Sequence, residues 1–109
     1  MQTIALKFGG SSLASAEQYR KVAAIIRADP SRRFIVASAP GKRTSADTKI
    51  TDALYSVFER AKNGQDCEPL LASIGERYRG IAAELGVRFD TDRELAEIRN
   101  AKATQVGRV

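Results

Sequence analysis

Thr3-Ile4-Ala5-Leu6-Lys7-Phe8-Gly9-Gly10-Ser11-Ser12 decides how this chain is read. Its first half is apolar, with a β-branched residue, a leucine and an aromatic, and it is stopped by two glycines, which is the signature of a buried strand over 3–8. At the point where the strand should end, one lysine, two glycines and two hydroxyls arrive together. Such a loop offers an anion an ammonium group, backbone N–H donors that no Cβ obstructs, and the start of a following helix. The bland alternative is a tight strand-to-helix turn carrying a surface lysine.

The chain beyond this loop builds a βαβ unit. Ser15-Ala16-Glu17-Gln18 matches a capping box, in which the serine oxygen accepts from an amide three residues on and the glutamine reaches back. Tyr19, Val22, Ala23 and Ile26 then make one apolar stripe, and Asp29-Pro30 ends the helix because the residue before proline is pushed out of the α region. Phe34-Ile35-Val36-Ala37 is continuously apolar, as a parallel strand covered on both faces would be. A strand–helix–strand crossover is right-handed and brings both strand ends to one sheet edge. The loop Lys7–Ser12 is therefore expected beside the loop that begins at Ser38, where open α/β folds hold their ligands.

Residues 39–49 are rich in Pro, Gly, Ser and Thr and read as a flexible connection. A second helix is expected over 51–62, with Leu54, Tyr55, Phe58 and Ala61 inward and Asn63-Gly64 as its stop. A third is expected over 69–85, with Pro69 in its first turn, a stripe of Leu70, Ile74, Tyr78, Ile81 and Leu85, and Gly86 closing it. Thr91-Asp92-Arg93-Glu94 predicts another capping box and a shorter helix through Leu95 and Ile98. No apolar period continues through residues 101–109. Two parallel strands with four helices cannot shield their own sheet edges, so the fold class is α/β and the domain reads as incomplete in this chain.

Composition narrows the function classes. The 109 residues are 43% apolar and 28% charged, which suits one small globular domain. No apolar run is long enough to span a bilayer and no leader is recognisable, so a cytoplasmic protein with no membrane partner is expected. Cys67 stands alone and histidine is absent, which leaves no internal disulfide and no zinc site to expect; Cys67 is read as a helix-flanking residue without chemistry. The net charge of +5 raises nucleic acid as a partner. The cations are interleaved with acids along the helices rather than clustered with aromatics, and nucleic acid is not expected.

The glycine loop is neither G-x-G-x-x-G nor G-x-x-x-x-G-K-[ST], since its lysine precedes the glycines. A second loop, Ser38-Ala39-Pro40-Gly41-Lys42-Arg43 with Thr48-Lys49-Ile50-Thr51-Asp52 behind it, adds hydroxyls, cations and a carboxylate to the same edge. Taken together, these two segments resemble the N-terminal part of the aspartate kinases of the amino-acid kinase family, specifically from Thr3 to about Tyr55 and only in helical pattern from there to about Ile98. The Lys-x-Gly-Gly core is shared by several kinases of that family, while Phe8 and the Ser11-Ser12 pair resemble the aspartate kinases in particular.

The resemblance implies the parallel βαβ start of a carbamate kinase-like α/β/α sandwich, residues 1–109 being the N-terminal part of one catalytic domain without the family's regulatory C-terminal domains. It implies transfer of the γ-phosphoryl group of ATP, with Mg2+, to the side-chain carboxylate of L-aspartate, a first step toward lysine, threonine and methionine. Lys7 would be catalytic; Lys7, Phe8, Gly9, Gly10 and Ser11 would bind ATP; Ser38 and Thr51 would bind the amino-acid substrate; no residue would bind a metal directly. Ser38 could instead end a strand, Thr51 could cap a helix, and Lys42, Arg43 and Lys49 read as a solvated loop. The family's serine/arginine-glycine-glutamate segment and its later substrate and adenine residues do not occur in this sequence. The isolated chain is therefore expected to be inactive, and the intact parent to be a homo-oligomeric kinase. Two alternatives are a sibling kinase acting on glutamate, acetylglutamate, carbamate or a nucleotide, and a non-catalytic basic module that binds polyanions.

Overall fold

The computed structural model describes residues 2–107, with side chains to residue 101. Residues divide into two compact units, Met1–Thr51 and Asp52–Val109.

In the first unit, β1 (Ile4–Phe8) pairs in parallel with β2 (Arg32–Ala37), and α1 (Ala16–Arg27) connects them after a short 3-10 turn, Gly10–Leu13. The register sets Ala5 opposite Phe34, Leu6 opposite Ile35, Lys7 opposite Val36 and Phe8 opposite Ala37, with a shift between Ile4 and Ala5 that leaves Arg33 bulged. Side chains alternate across a strand, so Leu6 and Phe8 share one face. That face packs on α1 through Phe8, Leu13 and Val22, with Leu6, Tyr19 and Ile26 around them. The expected two-sided cover of β2 is not found. Phe34 and Val36, which point to the other face with Lys7, are 64% and 59% exposed.

Ser15 caps α1 as its sequence predicts, accepting from the Gln18 amide, but the Gln18 side chain does not reach back to it. Its Nε2 donates instead to the Ser11 carbonyl at 3.3 Å, which ties the 3-10 turn to the helix. After α1, Asp29 folds over the next turn, its Oδ1 accepting from the Ser31 amide and hydroxyl at 2.9 and 2.6 Å. Those bonds hold the Asp29 carboxyl below its ordinary pKa. β2 begins two residues earlier than the apolar run suggests because Arg32 is placed by this turn, its amide donating to the Asp29 carbonyl.

The second unit is helical: α2 (Ile50–Lys62), whose first two residues belong to the first unit, then α3 (Glu68–Leu85) and α4 (Thr91–Gly107). α2 turns a different face inward from the one predicted. Val57 is buried, whereas Leu54, Tyr55 and Phe58 are exposed, Tyr55 at 68%. Apolar residues on α2 occupy more than one face, so periodicity alone does not choose between them. In α3 the buried line is Leu71, Ile74 and Gly75, with Leu70, Tyr78, Ile81 and Leu85 half-buried beside it. A Cβ on Gly75 would lie 2.7 Å from Leu95 Cδ1, so the lack of a side chain at this mid-helix glycine makes room for Leu95 of α4. Gly86 ends α3 at φ +68°, a left-handed conformation suited to glycine.

α4 runs to Gly107, well past the short helix predicted. Its cap is Asp90 rather than Thr91: Asp90 Oδ1 accepts from the Arg93 amide at 3.1 Å, and the Thr91 hydroxyl is buried with no hydrogen-bond partner. Arg99 forks onto Glu68 with bonds of 2.9 and 2.8 Å, joining α4 to the start of α3. Arg79 pairs with Asp92. Cys67 flanks the start of α3 and is buried, with Sγ 3.3 Å from the Val57 carbonyl oxygen.

Candidate functional site

Both strands of the first unit end at the same sheet edge, and the chain laces their two loops together there. The Ser38 amide donates to the Phe8 carbonyl at 3.0 Å, which continues the ladder one residue past β2. Three residues after Ser38, the Gly41 amide donates to the Gly10 carbonyl at 2.8 Å. This close approach leaves no room for a side chain at Gly41 and little at Gly10. A Cβ on Gly10 would meet the Ala39 carbonyl oxygen at 3.1 Å and Gly41 Cα at 3.2 Å; one on Gly41 would meet Gly10 C at 2.6 Å, Gly10 O at 2.8 Å and Ser11 N at 2.9 Å. Gly9 has open space where its side chain would be. Its backbone is extended, so room and not a special dihedral angle is what its lack of a Cβ supplies.

The connection after Gly41 is not the loose linker that its composition suggests. Pro40, Gly41 and Ile50 are buried, and the Ile50 amide donates to the Pro40 carbonyl at 3.0 Å, pinning the base of the loop. At the tip, Asp47 accepts from the Arg43 amide at 3.0 Å and from its guanidinium at 2.6 and 3.1 Å, and also from the Thr48 amide at 3.0 Å. The Arg43 guanidinium, followed by these backbone donors, holds the Asp47 carboxyl far below the usual carboxylate range. The same pair raises the pKa of Arg43. Arg43 is thus engaged within its loop.

Lys7 is exposed on the sheet face opposite α1, and Ser11, Ser38 and Thr51 are exposed at the edge. Among the described residues, none pairs with the Lys7 ammonium or with the Ser38 or Thr51 hydroxyls, and none accepts from the amides of Gly9, Gly10 and Ser11. Phe8 differs from the rest in that its ring is in the core, directly before the glycines and after Lys7. Thr51 lies inside the first turn of α2, one residue past its start, and so is not its cap. Ser38 does close β2 through its backbone, which leaves its side chain free for other work. The end of β1 and these two loops thus carry an exposed cation, three amides without an acceptor among the described residues and two exposed hydroxyls, groups of the kind an anion needs.

Sequence reasoning singles out Lys7, Phe8, Gly9, Gly10, Ser11, Ser38 and Thr51, and quotes Pro40 and Gly41 in the second loop without giving them or Asp47 a structural role. A glycine between Pro and Lys reads as an ordinary turn residue, and only its contact with a residue far back in the chain gives it a role. Among the described residues, no three His, Cys, Asp or Glu side chains come together as a metal site. Likewise, no helix among them is long and apolar enough to cross a membrane.

No family model matches the chain. Aspartokinase 3 of Bacillus subtilis (strain 168) is 46% identical over 80 residues, which is 73% of this chain and 18% of that protein. The chloroplastic bifunctional aspartokinase/homoserine dehydrogenase of Daucus carota is 32% identical over 95 residues, 86% of this chain and 10% of that protein. Among solved structures, Clostridium acetobutylicum aspartate kinase superposes with a TM-score of 0.90 at 39% identity, covering 95% of this chain. The likeness therefore extends past Tyr55 into the helical unit, where the sequence pattern is only compatible with it. The chain is aspartokinase-like in both sequence and fold, over a stretch that amounts to 18% of the Bacillus protein and 24% of the Clostridium chain.

Proposed function

We propose that this chain is the phosphate-binding portion of an aspartate kinase catalytic domain, whose intact form transfers the γ-phosphoryl group of ATP to the side-chain carboxylate of L-aspartate. The observation that supports the reading is the Gly10–Gly41 backbone contact, which joins the loop after β1 to the loop that begins at Ser38 at the carboxyl edge of a parallel sheet. Phosphoryl transfer asks little covalent chemistry of a protein. It asks that two anionic reactants be brought in line and that charge on the transferring group be neutralised.

In this reading the Lys7 ammonium faces the ATP phosphates as a point charge, and the amides of Gly9, Gly10 and Ser11 donate to their oxygens. Phe8 contributes by holding Lys7 and Gly9 in place from the core. Ser38 and Thr51 donate to, or accept from, the carboxylate and amine of the amino acid. Mg2+ accompanies ATP as the phosphate complex, without a protein ligand from this chain. The intact kinase is cytoplasmic and homo-oligomeric, and neither nucleic acid nor membrane is a partner.

The test is a chimera in which this chain replaces the matching segment of Bacillus subtilis aspartokinase 3. ADP release that depends on aspartate is expected from the chimera, and its loss by at least about a hundredfold on Lys7→Ala. A chimera that folds yet releases no ADP with aspartate would refute the reading. The isolated 109-residue chain should show little or no turnover, and Mg-ATP should raise its melting temperature unless Lys7 is replaced.

A further inference from the structure

We propose that Gly41 is a positioning residue: locked against Gly10 and Ser11, its backbone sets the Ser38 and Thr51 hydroxyls relative to the amide cradle at Gly9–Ser11. This rests on the reading of that edge as a site for two anions. Gly10 C, Gly10 O and Ser11 N, the three atoms nearest a Cβ on Gly41, belong to one planar peptide unit. The Gly41 amide bonds to the oxygen of that unit at 2.8 Å. Because a trans peptide points its N–H opposite to its C=O, fixing the oxygen on the Gly41 amide also fixes the direction of the Ser11 N–H, which has no acceptor among the described residues. A carbonyl that accepts a hydrogen bond also makes the N–H of its own peptide a stronger donor.

The other end of the coupling is as short. Gly41 follows Pro40, whose carbonyl holds the Ile50 amide, and Ile50 is buried directly before Thr51. Ser38 is held from the same side through the Phe8 carbonyl. Both hydroxyls thus reach the cradle by only a few rigid, hydrogen-bonded peptides. A shift of the Gly10–Ser11 peptide on binding an anion is carried through Gly41 to Thr51, and a Cβ at position 41 forces the two loops apart.

The experiment is amide NMR on the whole chain, titrated with tripolyphosphate as the probe, with and without Mg2+. In the wild type the amides of Gly9, Gly10 and Ser11 should move together with those of Gly41, Ile50 and Thr51, at one dissociation constant. Gly41→Ala should weaken binding about tenfold, the loss of one charge-assisted hydrogen bond, and leave Thr51 unresponsive. Val22→Ala, which loosens the core beneath the same sheet, should lower the melting temperature and leave affinity within about twofold. Tripolyphosphate binding to Gly41→Ala within twofold of wild type, or a wild-type Thr51 that stays still while Gly9–Ser11 respond, overturns the proposal.

If the wild type binds no tripolyphosphate, the anion reading of the edge fails, and the ligand-free spectra still decide the role of Gly41. Displacement of the Gly10, Ser11 and Thr51 resonances by Gly41→Ala, with Val22 and Ala23 unmoved, supports it; their constancy overturns it. Should Gly41→Ala not fold, Gly10→Ala presses the same contact from the other side at a milder 3.1–3.2 Å and carries the same comparison.

Discussion

The two units hold together by different means. In Met1–Thr51 a small core of Phe8, Leu13 and Val22 sits on one side of two strands, and the rest of the order comes from backbone hydrogen bonds between segments distant in sequence, Ser38 to Phe8, Gly41 to Gly10 and Ile50 to Pro40. In Asp52–Val109 the core is one of helix side chains, Val57, Leu71, Ile74 and Leu95, helped by a forked ion pair between Arg99 and Glu68. The first arrangement fixes loops; the second fixes helices and leaves their ends to local capping. Function at a strand edge needs the first kind, because donors aimed at a ligand must be held without being consumed.

The sharpest break between the units should come from truncating a side chain in each. Leu71 is 0% exposed, so Leu71→Ala removes packing that nothing nearby replaces and should cost about 2–5 kcal/mol. Phe34→Ala deletes a larger side chain from β2, but one that is mostly in water, and should stay within about 0.5 kcal/mol. Urea unfolding followed by circular dichroism measures both. Equal losses would mean that the exposed face of β2 is covered in solution.

A finer comparison lies at one helix end. Asp90→Ala removes the acceptor of the Arg93 amide and should destabilise the second unit by about 1 kcal/mol. Thr91→Val, one residue on, exchanges an unpaired buried hydroxyl for a methyl group and should be neutral or stabilising by up to about 1 kcal/mol. Thermal melts of the two variants should move in opposite directions, or the second not at all. A larger loss from Thr91→Val than from Asp90→Ala would return the cap to Thr91, where the capping-box pattern puts it.

That pattern shows why some of the chain was legible and some was not. β1, its glycine loop, the Ser15 cap and the convergence of the two loops follow from local chemistry plus the handedness of a crossover, and each is found. Thr91-x-x-Glu94 is as good a capping box as Ser15-x-x-Gln18, but it competes with an aspartate one residue earlier, and tertiary burial of Thr91 settles the contest. α2 carries Ile50, Leu54 and Val57 along one stripe and Tyr55 and Phe58 beside it; which of them are buried depends on neighbours that spacing does not reveal. Gly41 and Gly75 are invisible for the same reason, since each answers to an atom distant in sequence, the Gly10 carbonyl or the Leu95 methyl group. In the candidate site, the residue types that bear charge or hydroxyls were readable, whereas the residues that hold them in place were not.

The smallest expected effect bears on the loop between those two regimes. Asp47 is ionised in the folded loop and gathers the Arg43 guanidinium, the Arg43 amide and the Thr48 amide, so its folded pKa is depressed below the value of about 3.9 it has when released. A depressed carboxyl adds stability that is fully present above the released value and is lost as pH falls through the folded one. The clasp should therefore be complete at neutral pH and begin to weaken only below about pH 4. Amide NMR between pH 7 and pH 2 should show the Arg43 and Thr48 resonances moving late in the titration, while those of Gly10 and Gly41, held by uncharged bonds, stay in place. Asp47→Asn should remove that step and leave the Gly10–Gly41 contact intact. Movement of Gly41 together with Arg43 would instead make the loop a single cooperative piece, with the ion pair at its tip supporting the backbone contact at its base.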